Sequence, residues 1–89
     1  MRLNHHTDYA LRLLMYLAQS PDRVTAERVA DAYGISRNHL VKVANRLAEL
    51  GHIETRRGRG GGLKLARKPE EINVGAVVRA LESLDGFVD

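Results

Sequence analysis

Ala30, Gly34 and Leu40 stand at a spacing that few backbone arrangements satisfy. Two helices that cross steeply need a small residue where they touch, and Ala30 is one. Four residues on, the chain must leave the first helix in a left-handed conformation, which glycine adopts without steric cost, and Gly34 is there. Thr25 and Ser36 are residue types that cap helix N-termini, so each of two short helices has its own start signal. Val29, Ala30 and Tyr33 would face inward from the first helix of this pair. Leu40, Val43, Ala44 and Leu47 recur at intervals of three and four, the period of a helix running to about Leu50. Ile35 is placed to plug the space between the two, and Gly51 to end the second. The expectation is a helix-turn-helix.

The flanking sequence completes a larger unit. Thr7 or Asp8 can cap an earlier helix whose apolar face holds Tyr9, Leu11, Leu13, Leu14, Tyr16, Leu17 and Ala18, with Ser20-Pro21-Asp22 as the turn after it. Ile53-Glu54-Thr55-Arg56 alternates as a strand. Arg57-Gly58-Arg59-Gly60-Gly61-Gly62 reads as a hairpin tip, Leu63-Lys64-Leu65 as the return strand, and Pro69 as its stop. Asn73 can cap a last helix with Val74, Val77, Val78, Leu81 and Leu84 on one face. The predicted fold is mainly α with a small β-hairpin: a winged helix-turn-helix of three helices, a two-stranded wing and a fourth helix. Residues 1–89 form one domain in this reading, with no internal repeat and no linker.

Charge narrows the partners. The net charge of +3 conceals a steep polarity along the chain. Residues 35–68 carry nine Lys and Arg against Glu49 and Glu54, a net +7, whereas residues 1–34 are balanced and residues 69–89 carry a net −4. Eleven of the fourteen basic residues are Arg, whose planar fork suits phosphates and guanine edges. A polyanion is indicated, nucleic acid being the commonest, although an ordinary solvated basic face has the same composition. The longest unbroken apolar run, Leu13 to Ala18, is far short of a membrane span. The first residues lack the apolar stretch of a secretory signal, which makes a cytoplasmic protein without a membrane role the simplest reading.

Candidate contacts follow from the faces left outside. On the second helix of the pair these are Arg37, Asn38, Lys42, Asn45, Arg46 and Glu49. A recognition helix presents its N-terminal residues to base edges in the major groove of double-stranded DNA, so Arg37, Asn38 and Lys42 are the first candidates, with His39 as an adjacent phosphate contact and Ser36 and Arg46 as further candidates on the same helix. Arg can bridge guanine O6 and N7, and Asn can pair with adenine N6 and N7. At the wing, Arg57 and Arg59 flank glycines that let backbone approach phosphates, and Gly60 belongs to the same candidate contact. An Arg at such a tip can enter a narrow minor groove. The bland alternatives are a solvated helix start and a surface turn that touches nothing specific.

Enzyme chemistry finds no constellation. There is no cysteine, hence no thiol nucleophile and no thiolate ligand in this chain. His5, His6, His39 and His52 form no two-histidine metal motif at helical separation. The triple glycine 60–62 lacks the lysine and hydroxyl residue of a phosphate-binding loop. Ser20, Ser36 and Ser83 read as turn or cap residues.

Four segments together resemble a known family. They are Thr7-Asp8-Tyr9-Ala10-Leu11-Arg12, Ser36-Arg37-Asn38-His39-Leu40-Val41-Lys42, Arg57-Gly58-Arg59-Gly60-Gly61-Gly62-Leu63, and residues 72–82 (INVGAVVRALE). The chain is similar throughout to the Rrf-type iron–sulfur winged-helix transcriptional repressors, and most of all to their nitric-oxide-sensing members. The resemblance implies a bacterial homodimer that binds a palindromic operator and responds to nitric oxide through an iron–sulfur cluster, 4Fe–4S or 2Fe–2S. It also implies three cluster cysteines and a dimerisation helix beyond Asp89, so that these residues are expected to be the N-terminal part of a longer protein. Asp8 matches the position of an acidic side chain that reaches the partner subunit's cluster, although an Asp in a first turn is also favoured by the helix dipole. A regulator of the same family sensing redox state, iron or cluster supply is the nearest rival. A winged helix used for protein–protein contact is the other.

Overall fold

The computed structural model describes residues 5–88, and the side chains of residues 5–82. The order is α1 (His5–Ala18), α2 (Ala26–Tyr33), α3 (Arg37–Glu49), β1 (Ile53–Arg56), β2 (Gly62–Leu65) and α4 (Val74–Val88), with one 3-10 turn at Pro69–Glu71 before α4. This is the expected three helices, hairpin and fourth helix.

Local chemistry sets the helix ends. The Thr25 hydroxyl accepts from the Arg28 N–H at 3.2 Å and starts α2, while the Ser36 hydroxyl accepts from the His39 N–H at 3.1 Å and starts α3. Each such cap is worth about 1 kcal/mol. Gly34 ends α2 at φ 67, ψ 33. The Ile35 N–H then reaches back to the Ala30 carbonyl at 2.9 Å, closing a Schellman turn and setting the angle at which α3 departs. α3 closes in the same way, with the Gly51 N–H on the Ala48 carbonyl and the His52 N–H on the Leu47 carbonyl, both at 3.0 Å.

The core is the meeting place of all four helices and the hairpin. Leu13 of α1, Val29 of α2, Leu40, Val43 and Leu47 of α3, and Val77 and Leu81 of α4 are each less than 2% exposed. Burying an aliphatic side chain of this size contributes roughly 1.5–3 kcal/mol. Ala30 is buried on α2, and α2 packs against α3, consistent with a small residue at a close helix crossing. β1 packs on α3 and β2 on α1, which anchors both strands of the wing to the helices.

The hairpin is antiparallel, with Ile53 opposite Leu65, Glu54 opposite Lys64, Thr55 opposite Leu63 and Arg56 opposite Gly62. A connection invisible to periodicity ties it down. The Val24 N–H donates to the Leu63 carbonyl at 2.9 Å, and the Leu63 N–H to the Val24 carbonyl at 2.7 Å. Val24, in the α1–α2 loop, thus pairs with β2 as a third, one-residue strand.

Three sequence expectations change. Thr7 and Asp8 do not cap α1; both lie inside its first turn, because the helix already includes His5. Thr7 is fully buried and donates a 2.6 Å hydrogen bond to the Glu82 carboxylate of α4. Gly62 is not part of the hairpin tip but the first residue of β2. Val74 is 55% exposed rather than packed with Val77 and Leu81. It borders, with Met15, an apolar groove of about 230 Å3 between α1, β2 and the start of α4. The Leu84 side chain lies outside the described ones. Asn73 does cap α4, its side-chain oxygen accepting from the Ala76 N–H at 3.0 Å. No helix among the described residues is long and apolar enough to cross a membrane.

Candidate nucleic-acid interface

α3 buries Leu40, Val43, Ala44 and Leu47 and leaves Arg37, Asn38, Lys42, Asn45 and Glu49 exposed. His39, Lys42, Asn45, Arg46 and Glu49 line one side of a shallow polar depression of about 400 Å3, with His6 of α1 on the other side. The sequence candidates Ser36, Arg37, Asn38, His39, Lys42 and Arg46 therefore share one helix, but not one environment. Ser36 spends its hydroxyl on the cap. Asn38 and Lys42 are exposed. Arg46 is half-buried at the depression's wall.

His39 is held from α1. Its ring meets Tyr9 edge-to-face with centroids 4.7 Å apart and an interplanar angle of 78°, a geometry in which the positive ring edge meets the negative face. The half-buried imidazole thus links the start of α1 to the start of α3.

Arg37 is paired. Its Nη1 lies 3.3 Å from Oε1 of Glu27, on the first turn of α2. The partner acid was not legible in the sequence, because a contact between two helices ten residues apart has no periodic signature.

The wing presents Arg57, Arg59 and Gly60 at an exposed tip, closed by the Gly61 N–H on the Gly58 carbonyl at 2.9 Å. Glu54, the hairpin's single acid, is bound by Arg23 at 3.3 Å and faces Lys64 across the sheet. Its charge is offset locally, and among the described residues no acid pairs with Arg57 or Arg59 at the tip. Arg23, whose side chain is only 17% exposed, is a structural anchor of the wing that sequence reasoning also missed. At the wing's root, burial and then the nearby Arg67 guanidinium push the His52 imidazole below its ordinary 6.5.

Asp8 stands apart from α3 and the wing in its contacts. Its two carboxylate oxygens accept from Arg12 Nε at 3.3 and 3.2 Å, and the Arg12 guanidinium lies 5.7 Å from the centre of the Tyr33 ring. The chain has no cysteine, and no group of three or more His, Asp or Glu among the described residues is arranged to hold a metal ion. The residues present do not by themselves fit an iron–sulfur cluster.

Three helices, a capped α2–α3 turn and a basic two-stranded wing define a winged helix-turn-helix protein. The chain belongs to the Rrf2 family, described as iron-dependent transcriptional regulators, whose family model matches residues 3–89. It is 54% identical over 84 residues to the HTH-type transcriptional regulator NsrR of Shouchella clausii, covering 92% of this chain and 56% of that protein. Among solved structures it is similar to IscR of T. potens, with a TM-score of 0.82 and 29% identity over 91% of this chain and 61% of that one. CymR, the global cysteine regulator of B. subtilis, superposes with a TM-score of 0.85 over 92% of this chain and 65% of that one; at 24% identity it bears on the fold alone. The chain spans little more than half the length of the curated relatives it matches. Those relatives are named transcriptional regulators, not enzymes.

Proposed function

We propose that residues 1–89 are the DNA-binding domain of a transcriptional repressor, with α3 in the major groove of double-stranded DNA and the wing against the neighbouring backbone or minor groove. One observation carries this reading. The first turn of α3 contains no acid and exposes Arg37 and Asn38, while the wing's only acid is already engaged by Arg23. Among the described residues no acid pairs with Lys42, Arg57 or Arg59, so their positive charge is left for a partner rather than spent within the fold. Ser36, by capping α3, holds the helix start in place.

The test is the affinity of the complete regulator for duplex DNA as a function of salt. With 6–10 phosphate contacts, affinity falls by about 10³–10⁵ between 50 and 200 mM salt. A flat response would instead favour the protein–protein use of the winged helix. Arg37→Ala weakens binding to a selected site by roughly 1–3 kcal/mol while leaving random DNA less affected. Equal weakening on both would reduce Arg37 to a phosphate contact.

The finer reading rests on the resemblance to nitric-oxide-sensing family members and on the identity to proteins named NsrR. In it, the complete regulator is a cytoplasmic homodimer on a palindromic operator, with an iron–sulfur cluster held by cysteines outside this chain and nitric oxide as effector. Asp8 is the one side chain of these residues offered to the partner subunit's cluster, and its release from Arg12 is what such a role requires. A visible absorption spectrum of the complete regulator, purified without oxygen, tests it. A cluster band that changes on adding nitric oxide supports the reading; a colourless protein that still binds DNA overturns it. Sensing of redox state, iron or cluster supply is the outcome favoured by a band that nitric oxide leaves unchanged.

A further inference from the structure

Arg37 occupies the first position of α3. That is an unfavourable place for a cation, because the helix macrodipole puts partial positive charge there. α3 would be better served by an acid, so the residue's presence points outward rather than to helix stability. The compensation comes from α2. Glu27 Oε1 lies 3.3 Å from Arg37 Nη1, with the two side chains 63% and 66% exposed. A solvated pair of this kind contributes little to stability. At a DNA surface its consequences are larger. A guanidinium carries five N–H donors in a rigid fork. With Nη1 turned to Glu27, the remaining donors are restricted to directions set by α2, which lowers the cost of fixing the fork for a bidentate contact with guanine O6 and N7. The carboxylate also repels phosphates, so a complex that leaves Glu27 near the backbone without a guanine on Arg37 is disfavoured.

We propose that Glu27 is a specificity-determining positioning residue: it aims Arg37 at a guanine edge and penalises binding where that guanine is missing. The proposal rests on the reading of α3 as the helix that enters the major groove. It assigns to α2 a part in sequence selection, although Glu27 need not touch a base.

The competing account is that Glu27 only stabilises the first turn of α2 through that helix's dipole. Selection of duplexes from a pool of randomised sequence, using the complete regulator, separates the two. Wild type, Glu27→Gln, Arg37→Ala and the double variant are compared, with their melting temperatures measured alongside. The expected result is a guanine preference in the wild-type profile that Arg37→Ala abolishes. Glu27→Gln weakens the same position by about fivefold, the upper range for an exposed ion pair, and tightens binding to the unselected pool. In the Arg37→Ala background, Glu27→Gln changes no base preference. The proposal is overturned if Glu27→Gln shifts the melting temperature but leaves the Arg37-dependent position intact, or if it alters preferences equally without Arg37. A wild-type regulator with no affinity for the pool refutes the DNA-binding reading itself, a separate failure from an unchanged profile.

Discussion

Gly62→Ala perturbs the point where the wing is stitched to the helical layer. Gly62 has φ 131, a conformation that side chains rarely adopt, and a methyl group there would lie 2.8 Å from the Val24 carbonyl oxygen. The obstacle is backbone, which cannot rotate aside. Forcing an alanine into this region costs about 1–3 kcal/mol. Relieving the clash means moving Val24 away from β2, which breaks the two hydrogen bonds between Val24 and Leu63, at about 1 kcal/mol each. The total is about 3–5 kcal/mol, a large share of the stability of a small domain. Gly34→Ala is the internal control. Its φ is 67 and nothing lies within 4 Å of an added methyl group, so only the left-handed backbone is penalised, by about 1–2 kcal/mol. Urea and thermal denaturation of the 89-residue chain, followed by helical circular dichroism, read both. At about 4–8 °C per kcal/mol, Gly62→Ala lowers the midpoint by at least about 12 °C and Gly34→Ala by about 4–16 °C, so that at any one slope the Gly62→Ala shift is the larger. A Gly62→Ala loss no larger than the Gly34→Ala loss would refute the argument that the Val24 bridge positions the hairpin.

Leu47→Ala removes a fully buried side chain from the last turn of α3 and lowers unfolding free energy by about 2–5 kcal/mol, readable in the same denaturation experiment. Ser36→Ala deletes the α3 cap and costs about 1 kcal/mol, whereas Ser36→Asp restores most of it; equal losses in both would show that the hydroxyl does something other than cap. His52, held below its ordinary 6.5 by burial and then by Arg67, takes up a proton more readily when unfolded than when folded. Its contribution is therefore complete above pH 6.5 and declines as pH falls through the unfolded value toward the folded one. His52→Gln flattens the stability profile across that window, and an unchanged slope would assign the dependence to other groups.

The element plan was legible because it is written in local signals. Thr25, Gly34, Ser36 and Gly51 bracket α2 and α3 by capping chemistry that acts within a few residues. β1 matches the alternating segment 53–56 residue for residue. Leu40, Val43, Ala44 and Leu47 are buried as their period required. The expectations that shifted sit where a local signal has two meanings. Thr7 looks like a cap, but its hydroxyl is used by Glu82 across the core. Val74 continues the apolar spacing of α4, yet the first turn of that helix projects past the core to the rim of a groove. Gly62 reads as one more tip glycine until its neighbour Val24 is in view.

The candidate interface divides along the same line. Residue type and helical period were enough to name Arg37, Asn38 and Lys42 as exposed on α3, and to put Arg57 and Arg59 at a turn, because exposure follows from amphipathic spacing alone. Which of those charges is engaged depended on distances between elements far apart in the chain. Glu27 meets Arg37, Tyr9 meets His39, and Arg23 meets Glu54 only after α1, α2, α3 and the hairpin have packed. Periodicity carries one angle per residue and no information about a second helix's position; which charges of this basic surface are paired is set by the packing of the core beneath it.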